Sequence, residues 1–155
     1  MRLWTERSYP YVLGVLIALA NFAGNWWSVL SARQSGKILD DVFAMSGVGL
    51  GFWSTAATLL LAVEQKPLVR KLKKGPHFRV MVGYVFAAIT WLAVLLTLTL
   101  VGVFLGEEIR SASYASRFFT FIWLLALVVA VSATFRAYHI LSKVLKIAAS
   151  EAEPE

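Results

Sequence analysis

Residues Val80–Leu105 read VMVGYVFAAITWLAVLLTLTLVGVFL, and no Asp, Glu, Lys or Arg interrupts them. About 20 mostly apolar residues suffice for a helix to cross a hydrocarbon layer of roughly 30 Å. The Ile, Val and Leu do not alternate with polar residues, which excludes membrane β-strands of about 9–11 residues. Working outward, three further apolar stretches are expected to span: Tyr9–Leu30, Phe43–Glu64 and Phe118–Ala137. The last should continue as helix to Lys146, because no Gly or Pro follows Arg136 to stop it. The composition agrees. The 155 residues are 59 % apolar and 15 % charged, with no cysteine and six tryptophans, and the mean hydropathy is +0.69. A soluble domain carries roughly 25 % charged and about 45–50 % apolar residues. A soluble globule, a disordered chain and a disulfide scaffold are thereby excluded. The expected fold is an all-α, integral-membrane four-helix bundle, one transmembrane domain over residues 1–150 followed by an acidic tail, 151–155.

Lysine and arginine placement sets the expected orientation. Arg2 and Arg7 precede the first span, Lys66, Arg70, Lys71, Lys73, Lys74 and Arg79 separate the second from the third, and Arg136, Lys143 and Lys146 end the fourth. Only Arg33, Lys37, Arg110 and Arg117 lie on the other side, where Asp40, Asp41, Glu107 and Glu108 neutralise them. The positive-inside rule then places both termini and the loop 65–79 in the cytoplasm of a multi-pass inner-membrane protein. Trp26, Trp27 and Trp123 should mark the outer interface, and Trp4, Tyr9 and Tyr84 the inner one. Pro10 is expected in a first helical turn, where proline is tolerated. Arg2, Arg7 and Ala18-Leu19-Ala20 have the pattern of a cleaved leader; the segment is expected to be retained.

In lipid, small and weakly polar residues mark the faces on which helices meet. Such stripes run through Gly14, Ala18, Asn21, Asn25 and Ser28, through Gly47, Gly51, Ser54 and Thr58, through Gly83, Ala87, Thr90 and Thr97, and through Ala126, Ala130, Ala133 and Ala137. Gly14, Gly47, Gly51, Gly83 and Ala130 are the expected close-packing positions. Asn21 and Asn25 are the sharpest feature, because an amide left unsatisfied in hydrocarbon costs several kcal/mol. Two readings stand: bonding between helices, to Ser54, Thr58 or Thr97, or a polar lining shared by Asn21, Asn25, Ser28, Ser54 and Thr58. No ionisable residue lies mid-span, which counts against proton- or ion-coupled transport.

His77 and His139 both fall near the cytoplasmic surface. Without cysteine they supply neither a zinc site of three or four ligands nor a facing haem pair, so no cofactor or metal is expected. No Walker loop, GxSxG, HExxH or dinucleotide fingerprint occurs, and no catalytic residue is assigned. Arg136, His139 and Lys143 share a helical face with Ser132 and should snorkel to phosphate level; Glu64 is a candidate partner for Arg136. The loop residues Lys66, Arg70, Lys71, Lys73 and Lys74 surround Leu68, Val69 and Leu72. Contact with anionic headgroups or docking of a cytoplasmic protein suits them. Direct nucleic-acid binding does not, for want of interleaved aromatics.

Tyr9-Pro10-Tyr11, the basic loop Lys66–Lys74, Gly83-Tyr84 and Phe135-Arg136-Ala137-Tyr138 together resemble the small four-helix phage-exclusion membrane proteins of the RexB type, and more loosely the membrane subunit of Kiwa-type defence systems. The resemblance covers residues 8–146 and implies a homo-oligomer that permeabilises the inner membrane when infection is sensed. It supplies no catalytic residues. The leading expectation is therefore an oligomeric pore-forming effector in phage defence. The alternative is a non-catalytic accessory or anchoring subunit that docks a cytoplasmic partner through the basic loop.

Overall fold

Four helices make up nearly all of the described chain: α1 (Arg2–Gly24), α2 (Ser35–Ala62), α3 (Pro76–Ser111) and α4 (Ser113–Ser150). This computed structural model describes residues 2–24, 26–30, 34–62, 76–111 and 113–150, with the backbone alone for 2–7, 60–62, 76–79, 107, 110–111, 113 and 144–150. Three helices are long and apolar enough to cross a membrane, over Ser35–Leu59, Val80–Gly106 and Tyr114–Lys143. The apolar part of α1, Ser8–Gly24, is shorter. At 1.5 Å per residue it measures about 25 Å.

Two expectations about the first helix need correction. It begins at Arg2, so Pro10 falls in its interior and not in its first turn. It also ends at Gly24, six residues before the expected Leu30. The Trp26 indole folds back over Gly24, where the helix ends: a Cβ there would stand 2.4 Å from Trp26 Nε1 and would push the exposed indole aside. The second helix starts at Ser35 instead of near Phe43. Its first turn carries charge but also Leu39, which is buried in the core.

The backbones lie side by side in the order α2–α3–α4–α1, each antiparallel to its neighbour. The first two helices of the chain therefore occupy opposite edges of the row. The row curls enough for Tyr11 of α1 to meet Trp91 of α3, with ring centroids 5.8 Å apart and the indole N–H donating to Tyr11 Oη at 3.3 Å.

The central seam follows a strict rule. The buried positions of α3 are Met81, Val85, Ala88, Leu92, Leu95, Thr99, Gly102 and Gly106, a 4,3,4,3 spacing. On α4 the series Ser116, Phe119, Trp123, Ala126, Ala130, Ala133 and Ala137 is buried at 3,4,3,4 spacing. A 3.5-residue repeat on both partners is the pattern of left-handed, knobs-into-holes packing. Leu39, Trp53 and Ala57 of α2 complete the core from the α3 side.

The expected close-packing glycines divide accordingly. Gly14 is buried, with the site of a Cβ 3.0 Å from Val129 Cγ2 and 3.1 Å from Leu125 Cδ1 of α4. Ala130 lies in the seam. Gly47 is half-buried near Leu96. Gly51 and Gly83 pack no helix within the chain: both are exposed, with open space where a Cβ would be. Each sits two residues, or about 200°, from the buried positions of its own helix. The α3 stripe of Gly83, Thr90 and Thr97 faces outward for the same reason, and those two threonines bond the carbonyls of Phe86 and Ala93 on their own helix.

Gly14 and Gly83 therefore differ in what they tolerate. Gly14→Val should lower stability by about 1–3 kcal/mol, the range for overpacking, whereas Gly83→Ala should leave it unchanged or slightly raised. Thermal unfolding in neutral detergent reads both.

Candidate functional site

Polar side chains gather at two ends of the row. At the first end, where α1 and α3 finish and α4 begins, the chain from Trp26 to Leu30 is not helical. Backbone outside a helix must find its own hydrogen-bond partners. Asn21 supplies them for Trp27: its Nδ2 donates to Trp27 O at 2.8 Å, and Trp27 N donates to Asn21 Oδ1 at 3.1 Å. The amide thus acts on one residue as a neighbouring strand would. It bonds none of Ser54, Thr58 or Thr97, the partners expected from the sequence, because Ser54 and Thr58 stand on α2 at the far edge of the row and Thr97 faces outward from α3 and bonds Ala93 O.

Ser28 continues the tether. Its Oγ lies 3.2 Å from Ser116 Oγ and 3.2 Å from Thr120 Oγ1 of α4. Thr120 also donates to Ser116 O at 2.8 Å. Val29 and Leu30 follow, 0 % and 1 % exposed, with Leu30 against the open side of Gly106. The segment therefore covers the end of the α3–α4 seam. Ser116 and Thr120 had no assigned role in the sequence reading. Their i, i+4 spacing with Trp123 three residues on was the available signal, but Ser28 as their partner was not.

Trp123 also needs correction. Expected at a membrane interface, it is 1 % exposed and donates its indole N–H to Thr99 Oγ1 at 3.0 Å. Thr99 in turn donates to Leu95 O at 2.8 Å. A buried tryptophan needs a partner for its N–H, and Thr99 sits opposite on the seam. Trp27 stacks at a tilt on the outer side of Trp123, with centroids 6.2 Å apart.

The remaining polar-stripe residues are not brought to this cluster. Ser54 and Thr58 are exposed on α2, where Thr58 donates to Ser54 O at 2.9 Å. Asn25 lies outside the described residues. The same holds for Lys66, Arg70, Lys71, Lys73 and Lys74 of the basic loop.

The second end carries charge. Arg136 of α4 is half-buried; its Nη2 donates to Tyr84 Oη at 2.9 Å, and its guanidinium carbon sits 4.5 Å from the centroid of that ring. His139 and Lys143 follow on the same face, exposed. Glu64, the partner suggested by sequence, lies outside the described residues. Among the described residues no group of three His, Asp or Glu is placed to hold a metal ion.

Comparison with protein-family models, with curated proteins and with solved structures finds no match to this chain.

The Asn21 bonds have a measurable consequence. Asn21→Ala removes both partners of the Trp27 backbone and should cost about 1–3 kcal/mol at about 0.5–1.5 kcal/mol per bond. It should also release residues 26–30, read as faster amide exchange at Trp27 than in the parent.

Proposed function

We propose that this chain is a multi-pass inner-membrane protein with its termini and residues 63–75 on the cytoplasmic side. We further propose that it serves without catalysis, as an anchoring or accessory subunit of a membrane complex. Support for the membrane setting comes from length and from surface. Val48, Phe52, Phe104, Phe118, Val131 and Phe135 are all large, apolar and more than half exposed, and water-soluble monomers rarely show contiguous apolar surface beyond a few hundred Å². Support for the orientation is the charge asymmetry together with the antiparallel row, which puts the start of α1, the end of α2, the start of α3 and the end of α4 at one end.

One observation carries the choice of an anchoring role: the described polar-stripe residues stand at opposite edges of the row. Asn21 and Ser28 fasten residues 26–30 to α1 and α4, at the opposite edge of the row from Ser54 and Thr58. Hydroxyls along α2 and α3 bond carbonyls one turn back. Among the described residues, Asn21, Ser28, Ser54 and Thr58 therefore do not form a shared lining within one chain.

A second reading, the oligomeric pore of a phage-defence effector, is favoured by the α2 edge. Gly51, Ser54, Thr55 and Thr58 are all exposed there, so copies meeting at α2 would place hydroxyls between them. Cells expressing the protein, loaded with a voltage-sensitive dye, separate the two. The anchoring role predicts an unchanged membrane potential. Depolarisation that disappears in Ser54→Leu/Thr58→Leu at equal membrane levels would overturn it in favour of the pore.

The orientation has its own check, made clean by the lack of cysteine. A membrane-impermeant maleimide applied to intact spheroplasts should label Tyr114→Cys and spare Lys143→Cys. The reverse labelling would invert the orientation, and labelling of neither in intact or lysed membranes would remove the surface assignment of both.

A further inference from the structure

The stripe Arg136, His139 and Lys143, with Tyr84 beside it, is used by neither reading above. The geometry points to a seat for the phosphate of an anionic phospholipid at this place on the α3–α4 pair. The inference rests on the membrane orientation proposed above.

Depth comes first. Arg136 is 20 residues from Ser116 along α4, or about 30 Å at 1.5 Å per residue, which equals the thickness of a hydrocarbon core. With one boundary taken at Ser116 and Ser28, the hydroxyl-lined end of the row, Arg136 falls at the other. From Arg136 to Lys143 is a further rise of about 10 Å, enough to pass through a headgroup layer of roughly 5–8 Å. The stripe thus starts where acyl chains end and runs outward through the phosphates.

Chemistry comes second. A guanidinium at the edge of hydrocarbon requires partners for several of its five N–H groups. The fold commits one to Tyr84 Oη and lays the guanidinium carbon over that ring. This fixes the plane of the fork without neutralising it, since a phenol carries no charge. A pinned, still cationic fork suits a phosphate, which it can bind in bidentate fashion. Tyr84 accepts in that bond and so retains its own O–H to donate. His139 and Lys143 are exposed on the same face; Lys143 adds a second positive charge and His139 a ring N–H donor for a further phosphate oxygen. Phe135, 67 % exposed, stands next to His139 on the adjoining face and offers an apolar wall for an acyl chain.

The test uses the purified full chain in neutral detergent, with unfolding followed by tryptophan fluorescence. It is titrated with short-chain phosphatidylglycerol, with phosphatidylcholine of equal chain length, and with inorganic phosphate. Phosphatidylglycerol should raise Tm saturably, and the other two should not. Each basic residue near a membrane surface is worth about 1 kcal/mol, so Arg136→Gln and Lys143→Gln should each weaken the response about five-fold. Lys143 is exposed, so that variant tests the seat even where Arg136→Gln unfolds. Tyr84→Phe should weaken the response less than Arg136→Gln, because the ring remains.

Equal responses to the two lipids, or an unchanged phosphatidylglycerol response in Lys143→Gln, would overturn the seat. A matching response to inorganic phosphate would assign the site to the free anion instead. Glu6→Gln or Glu64→Gln lowering the lipid-free Tm as much as Arg136→Gln would assign Arg136 to an internal ion pair and overturn it too. A chain that resists carbonate extraction from membranes but ignores phosphatidylglycerol would sink the seat alone; a chain released by carbonate would sink the membrane reading beneath it.

Discussion

The 3.5-residue seam between α3 and α4 is the constraint on which the other contacts depend. Each buried residue of α3, from Met81 to Gly106, is spaced to meet the facing series on α4 from Ser116 to Ala137. Lipid tails are as apolar as leucine, so helices in a bilayer gain nothing from apolar burial itself and are held by packing and by hydrogen bonds between them. The seam supplies both. Alanines at 126, 130, 133 and 137 admit close approach, and Trp123–Thr99 adds a bond in a dry interior. α2 then docks on the free side of α3 through Trp53 and Leu39, and α1 docks on the free side of α4 through Gly14 and Ala18.

That order forces the connection between α1 and α2 to cross the row. The crossing starts at Gly24, where the helix stops, and its backbone would be unsatisfied in an apolar setting. Non-helical backbone at membrane depth is tolerated only where it is buried in protein or lines a watery cavity. Here Asn21 bonds both backbone groups of Trp27, Ser28 is held through its side chain by Ser116 and Thr120, and Val29 and Leu30 are buried. Asn21 thus has a structural use that its position on the sequence did not disclose.

The two ends of the row are chemically unlike. One closes with neutral hydroxyls and an amide bonded within the chain. The other ends in a cationic stripe with an aromatic base, open to what lies outside. A protein that works by attachment needs one such open end and little between. In this chain the middles of α2 and α3 offer hydroxyls bonded one turn back and a wall of valine, leucine and phenylalanine.

Helix number, and the apolarity of three long helices, were legible from Val80–Leu105 and its counterparts, because hydropathy over about 20 residues is a property of composition and needs no partner. The alanine stripe of α4 was legible for a similar reason: 4,3 spacing on one helix is local. Which small residues would be inside was not. Gly83 and Gly51 face outward while Met81, Leu92 and Trp123 face inward, since the seam is chosen by what two helices offer each other. The end of α1 was missed; there Trp26 folds over Gly24 and Asn21 reaches six residues ahead. The sequence by itself determined that there are four helices and that charge is unevenly divided along the chain; it expected all four to span, whereas three are long and apolar enough to cross a membrane and the apolar part of α1 stops short at Gly24. Only the tertiary structure decided which faces meet, that α1 and α2 stand apart, and that Ser28 is held by Ser116 and Thr120, because each of those outcomes depends on contacts between residues tens of positions apart.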